Sequence, residues 1–205
     1  MMNKIFIGLL LCPAVYLHGA EPADSTLRLM EEITVAANRQ QDVKMNVPQQ
    51  VYILSRAQVE RANAPTAADL LTTDGLLTVQ KSQQGGGSPM IRGFESSRVL
   101  LVMDNVKMNN LIYRAGHLQN IITVDPSILE RVEVLYGPSS VSYGSDALGG
   151  VVAFRSKNPV LGDGGKTLFS GNAFMRYGSA NQETTGHVDF NIGGERFASL
   201  TSLSY

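Results

Sequence analysis

Ile128 to Val152 reads I-L-E-R-V-E-V-L-Y-G-P-S-S-V-S-Y-G-S-D-A-L-G-G-V-V. Within it, Arg131-Val132-Glu133-Val134-Leu135 alternates polar and apolar residues, the period of a strand with one buried face. Tyr136-Gly137-Pro138 stops that strand, because proline cannot donate to a ladder. Ser139 or Ser140 is placed to cap one short helical turn, and Gly144 to end it. Gly149-Gly150 leads into a second apolar strand, Val151 to Phe154. Glycines so closely spaced call for backbone at positive φ or in close contact with a neighbour.

Upstream, the signals are those of a small α+β unit. Val51-Tyr52-Ile53-Leu54 reads as a strand, after which Ser55 caps a helix running through Val59. Pro65-Thr66 starts another helix through Leu71, with Ala67, Leu70 and Leu71 as its buried stripe. Leu76 to Val79 is a strand, Gln83 to Pro89 a loop, and Met90-Ile91-Arg92 and Arg98 to Met103 are further strands. Asp104-Asn105 is a tight hairpin turn into Val106-Lys107-Met108. Asn109 to Asn120, N-N-L-I-Y-R-A-G-H-L-Q-N, is the longest irregular stretch and gathers Tyr113, Arg114, His117 and Gln119 with other amides. Loops of this size with convergent polar and aromatic groups often carry function. Pro126-Ser127 opens a helical turn back into the quoted stretch. Residues 47–158 thus predict a small mixed β-sheet with short helices.

Beyond Lys157-Asn158-Pro159 the character changes. Leu161 to Gly165 is a linker, and residues 159–205 continue as long strands. Thr184, Gly186, Val188, Phe190 and Ile192 share one face. Glu183, Thr185, His187, Asp189 and Asn191 share the other. Thr167, Phe169, Ala173, Met175 and Tyr177 repeat the apolar set one strand earlier. One apolar and one strongly polar face over about ten residues suits a transmembrane barrel strand. A soluble antiparallel hairpin shows the same alternation.

The N-terminus is a leader. Lys4 supplies the positive start, Ile5 to Leu17 the apolar core, and His18-Gly19-Ala20 the small residues before a cut near Glu21. Residues 1–20 are therefore a signal peptide. Leu11 before Cys12 argues against a lipoprotein site. Cys12 is the single cysteine among 205 residues, so disulfide, thiolate-metal and cysteine-nucleophile chemistry have no place after the cut. Net charge is −1, which gives no nucleic-acid footprint. Residues 21–46 form a polar tail in which Ile33 and Val35 share one side of a short strand, with no neighbouring stretch to pair it. Asn38 to Asn46 reads as a tether.

The quoted stretch resembles the closing motif of the plug domain of TonB-dependent outer-membrane receptors. Ile91-Arg92-Gly93-Phe94 and Val99-Leu100-Leu101-Val102-Met103-Asp104-Asn105-Val106 resemble the plug's earlier motifs, in the same order. Y-G-S-D-A-L-G-G-V-V-A-F-R and the histidine of Y-R-A-G-H-L-Q place the resemblance nearest the haem and haemoglobin receptor branch. The resemblance implies a plug followed by the first antiparallel strands of a transmembrane β-barrel in a Gram-negative-type outer membrane. Glu32-Ile33-Thr34-Val35-Ala36, within residues 31–37, resembles the TonB box gripped by a periplasmic energy-coupling protein through β-augmentation.

The resemblance implies apical ligand-binding loops carrying Gln83, Gln84, Tyr113, Arg114, His117 and Gln119. His117 would be a haem-iron ligand, and haem or a ferric complex would be cargo rather than intrinsic cofactor. The ligand would arrive from outside, as a small molecule or on a haem-carrying protein. Arg92, Glu130, Arg131 and Glu133 would form ionic contacts between plug and barrel. His187 faces the lumen, with no role assigned.

Enzyme signatures are absent. Gly85-Gly86-Gly87 lacks the Lys-Ser/Thr of a phosphate loop, and Ser139-Ser140 lacks the G-x-S-x-G elbow. Plugged transporters have about 22 strands, and a few strands cannot close. The expectation is an N-terminal fragment of such a receptor. The alternatives are uptake of cobalamin or another solute, a free-standing periplasmic binding module built from the plug alone, and an unrelated secreted enzyme with an α+β fold.

Overall fold

Ser55 converts a strand into a helix. Its backbone N–H donates to Gln58 Oε1 at 2.9 Å, half of a capping box at the head of the helix. The computed structural model describes residues 34–35, 42–43, 49–83, 86–95, 98–108, 120–163, 165–180 and 182–205. In chain order its strands are β1 (Thr34–Val35), β2 (Asp42–Val43), β3 (Gln50–Ser55), β4 (Thr78–Gln83), β5 (Gly86–Met90), β6 (Val99–Met103), β7 (Val106–Lys107), β8 (Leu129–Tyr136), β9 (Gly150–Ser156), β10 (Leu168–Gly178), β11 (Glu183–Gly193) and β12 (Ala198–Ser204). The helices are α1 (Arg56–Ala62), α2 (Ala67–Thr72) and the single turn α3 (Ser140–Tyr143). None of the described helices is long and apolar enough to cross a membrane.

Five strands form a mixed sheet in the order β3-β8-β9-β6-β7, with β6 and β9 parallel and the other neighbours antiparallel. One face packs Val132, Val134, Val152 and Phe154 against Val59, Leu70 and Leu71 of the helices. On the other face Val51, Leu135, Val151 and Ala153 lie under Tyr143 and Ala147. The segment after Gly137 folds back over the sheet, so β8 is buried on both sides from Val132 to Leu135. This corrects the one-face expectation: Glu133 is fully buried.

Local rules were otherwise obeyed. Thr66 caps α2, its hydroxyl accepting from the Asp69 N–H at 3.1 Å. Asp104 and Asn105 turn β6 into β7 with φ of 47° and 70°, as a type I′ hairpin requires. Gly144, at φ 97°, follows α3. Three expectations change. Gly86 to Met90 is a strand paired with β4, since its backbone completes that two-stranded ladder. Ile91-Arg92 is no strand, because Arg92 (φ 50°) and Gly93 (φ 82°) turn the chain so that Ile91 bridges Phe94. Thr34–Val35 does have a local partner: it pairs antiparallel with Asp42–Val43, inside the stretch read as a tether.

A second sheet, β10-β11-β12, is antiparallel, its first pair in register from Leu168 opposite Gly193 to Gly178 opposite Glu183. Along β11 burial alternates in the inverse of a soluble hairpin. His187, Asp189 and Asn191 are buried, while Val188, Phe190 and Ile192 are exposed.

Candidate functional site: the junction between the two sheets

The polar face of β11 is buried because the five-stranded unit sits against it. At the exit of β9, Lys157 Nζ donates to Asp189 Oδ2 at 2.8 Å, with the two side chains only 8% and 9% exposed. The Val160 N–H donates to Asn191 Oδ1 at 2.9 Å, and Asn191 Nδ2 returns a bond to the Val160 carbonyl at 3.0 Å. From β10, Arg176 donates to the Ala64 carbonyl at 3.0 Å, beyond the end of α1, and pairs with Glu183 at 3.1 Å. Ser204 on β12 donates to Asp125 Oδ2 in the turn before β8. Burial pushes the Asp125 carboxyl up. Hydrogen bonds from Ser204 and the Ser127 N–H outweigh it and hold the group below the usual carboxylate range. A cleft of about 500 Å³ lies beside these contacts, lined by Arg56, Glu130, Lys157, Asn172, Asp189 and Asn191.

The junction is therefore polar and closely bonded, yet it presents hydrocarbon on its far side. Phe169, Met175 and Tyr177 of β10 and Leu203 of β12 are exposed with the apolar face of β11. An apolar outer band on strands of 11 residues, with a polar interior, is the barrel-wall pattern.

Of the four charged residues singled out in the sequence, Arg92, Arg131 and Glu133 do not line this cleft. Arg92 donates to Gln50 Oε1 at 2.7 Å, and its guanidinium lies 5.4 Å from the Tyr136 ring centroid. Arg131 pairs with buried Glu133 at 2.8 Å. Glu130 is 3.6 Å from Arg56 of α1 and, alone of the four, lines the cleft facing β11. All four pair within the unit that carries them. The described ion pair that crosses to the long strands is Lys157–Asp189. Lys157 was read only as the end of a domain; its clue was its position one residue past β9, opposite a strand with polar residues at every second place. Of the apical set, Gln83 has its backbone in β4 opposite Gly86. Gln84, Tyr113, Arg114, His117 and Gln119 lie outside the described residues, as do Glu32, Ile33 and Ala36.

Residues 43–151 match the TonB-dependent receptor plug domain family. The chain belongs to that family, and the fold is a plug domain with antiparallel strands following it. Among curated relatives, the vitamin B12 transporter of Vibrio vulnificus is 32% identical over 156 residues, covering 74% of this chain and 24% of its own length. The hemin receptor of Yersinia pestis is 30% identical over 176 residues, covering 84% and 24%. The chain thus spans about a quarter of the length of the curated relatives it matches. The same fold is seen in the ferripyoverdine receptor of the outer membrane of Pseudomonas aeruginosa. There the TM-score is 0.63 at 19% identity, over 83% of this chain and 22% of that one. The alcaligin outer-membrane receptor of Bordetella pertussis gives 0.59 at 19%, over 84% and 29%.

Proposed function

We propose that this chain supplies the plug, the coupling segment and the first barrel strands of an outer-membrane receptor for energy-coupled uptake of a scarce ligand. The observation that carries the reading is the inverted burial of β11, polar inside against the plug and apolar outside. A soluble plug-only module has no use for that arrangement. No catalytic step is assigned.

The ligand binds on the outer side, at the loops carrying Gln83, Gln84, Tyr113, Arg114, His117 and Gln119. A TonB-type periplasmic protein then grips residues 31–37 by adding its own strand. Haem or another iron source is the favoured cargo. Support comes from the hemin receptor relative and from a histidine and arginine in one loop, suited to iron and to a propionate respectively. Cobalamin is the second reading, favoured by the 32% identity to a vitamin B12 transporter.

Uptake by cells that rely on this receptor separates the two readings. Saturable uptake of labelled haemin, with binding weakened at least about tenfold by His117→Ala, supports the first. Saturable cyanocobalamin uptake without haemin uptake supports the second. Val35→Pro removes a backbone donor and is expected to abolish uptake of either while leaving binding intact. Uptake at the parent level in that variant refutes the coupling segment.

A further inference from the structure

The chain passes from the plug to β10 by way of residues 157–162. Lys157 holds both sides of that passage. Its backbone N–H donates to the Ile128 carbonyl at 2.9 Å, inside the plug, while its ammonium reaches Asp189 of β11 at 2.8 Å. The next bonds along the chain run to β11 and the residue just past its end. Asn191 accepts from the Val160 N–H at 2.9 Å and donates back to the Val160 carbonyl at 3.0 Å. The Gly162 N–H donates to the Gly194 carbonyl at 3.1 Å. The chain then reverses to enter β10, with the Lys166 N–H donating to the Asp163 carbonyl at 3.2 Å.

Two features set this stretch apart from a loose connection. The Asn191 amide accepts from and donates to one residue, which is how a residue of a neighbouring antiparallel strand holds its partner. The stretch also lies backbone on backbone against the end of β11. A Cβ added at Gly162 would run into the Lys166 carbonyl and lie 2.8 Å from the Gly193 carbonyl. One added at Gly193 would run into the Val160 carbonyl and lie 2.9 Å from the Gly162 nitrogen. Glycine on both sides permits that approach. Val160 and Leu161 keep half or more of their surface exposed, so hydrogen bonds and close fit do the holding.

The held end of the plug is remote in the sheet from the end where the coupling segment enters. The chain enters at β3, an edge strand bonded only to β8 within its sheet, and leaves from β9, the middle strand. A pull from the N-terminal side must therefore cross the β3–β8 and β8–β9 ladders before it loads residues 157–162.

We propose that residues 157–162 are a fixed strap, bound to β11 throughout transport, which keeps the C-terminal end of the plug in place so that the plug reseats after each pull. The inference rests on the energy-coupled uptake proposed above and names the part of the plug that does not move.

The test uses the whole receptor in cells, with entry of vancomycin, a glycopeptide that a sealed outer membrane keeps out, as the measure of reseating. Asn191→Ala removes both bonds to Val160, and Gly162→Val lifts the strap from its own side. Val160→Pro, which deletes the donated bond alone, is the mildest of the three. Asn191→Ala is expected to lower the inhibitory vancomycin concentration roughly tenfold, the factor that two lost hydrogen bonds give in an equilibrium between a bound and a lifted strap. Gly162→Val is expected to act in the same direction and Val160→Pro to fall between Asn191→Ala and the parent. In cells lacking the TonB-type protein all three are expected to match the parent, because nothing pulls. Heat-dependent gel migration shows which variants carry a folded barrel. Parental resistance in the folded variants, or equal sensitivity with and without the coupling protein, overturns the strap. Failure of the uptake proposal reads differently: labelled ligand then enters cells carrying the parent receptor equally well with and without the coupling protein.

Discussion

Breaking the ion pair that crosses the junction measures how firmly the plug is seated. Lys157 and Asp189 are 2.8 Å apart and each less than a tenth exposed. Burial this deep sets them apart from surface pairs, which contribute about 0–1 kcal/mol. Removing one partner of a buried pair typically costs about 3–5 kcal/mol, because the other charge stays behind. Asp189 keeps His187 as a second partner, so Lys157→Met falls at about 3 kcal/mol. Asp189→Asn leaves the Lys157 ammonium buried beside an imidazole and falls nearer about 5 kcal/mol. The double variant leaves no stranded charge, and the coupling between the two changes should reach about 2 kcal/mol. The assay is urea-driven release of the plug from the reconstituted receptor, followed by protease pulses at fixed pH. Single-variant effects below about 1 kcal/mol, or strict additivity, would refute the claim that this pair is buried against the wall.

Two further predictions concern the plug itself. Gly150 has φ 156°, and an added Cβ would lie 2.9 Å from Ile91 Cδ1 and against the Leu135 carbonyl. Gly150→Ala should therefore destabilise the plug by about 1–3 kcal/mol in the same urea assay, and a neutral effect would contradict the packing of β9 on β8. Burial raises the Asp69 carboxyl, but bonds from Lys81 and Thr66 overcome this and set it below its ordinary value. A depressed native value stabilises above the unfolded carboxylate range and is lost as pH falls through the native value. The stability gap between parent and Asp69→Asn should therefore narrow on acidification, and a gap that widens would reverse the sign.

What the sequence disclosed, it disclosed through local rules. Ser55 and Thr66 announce helices because a capping hydroxyl acts within three residues. Asp104-Asn105 announces a hairpin because few residues tolerate two successive positive φ values. β11 is legible because a strand with one apolar and one polar face has a period of two. Less legible was whatever depends on a distant cover. Glu133 looks solvent-facing until the chain after Gly137 folds over it. The Gly86 to Met90 strand looks like a loop because its glycines and proline hide a ladder that β4 supplies. The junction joins Asp125 and Lys157 to His187, Asp189 and Ser204, residues far apart in sequence that only the seating of one sheet on the other brings together. The charged run around Arg131 drew attention instead, although its charges pair within the plug.

A strand buried on its polar face and exposed on its apolar one, as β11 is, should separate lipid from a seated polar plug. Spin labels placed one at a time from 184 to 192 in the membrane-reconstituted receptor test it directly. A period of two is expected: labels at 186, 188, 190 and 192 collide with oxygen dissolved in lipid, while those at 187, 189 and 191 are immobilised and shielded. Uniform accessibility along the strand, or shielding of the 186–192 set in place of the 187–191 set, would contradict it.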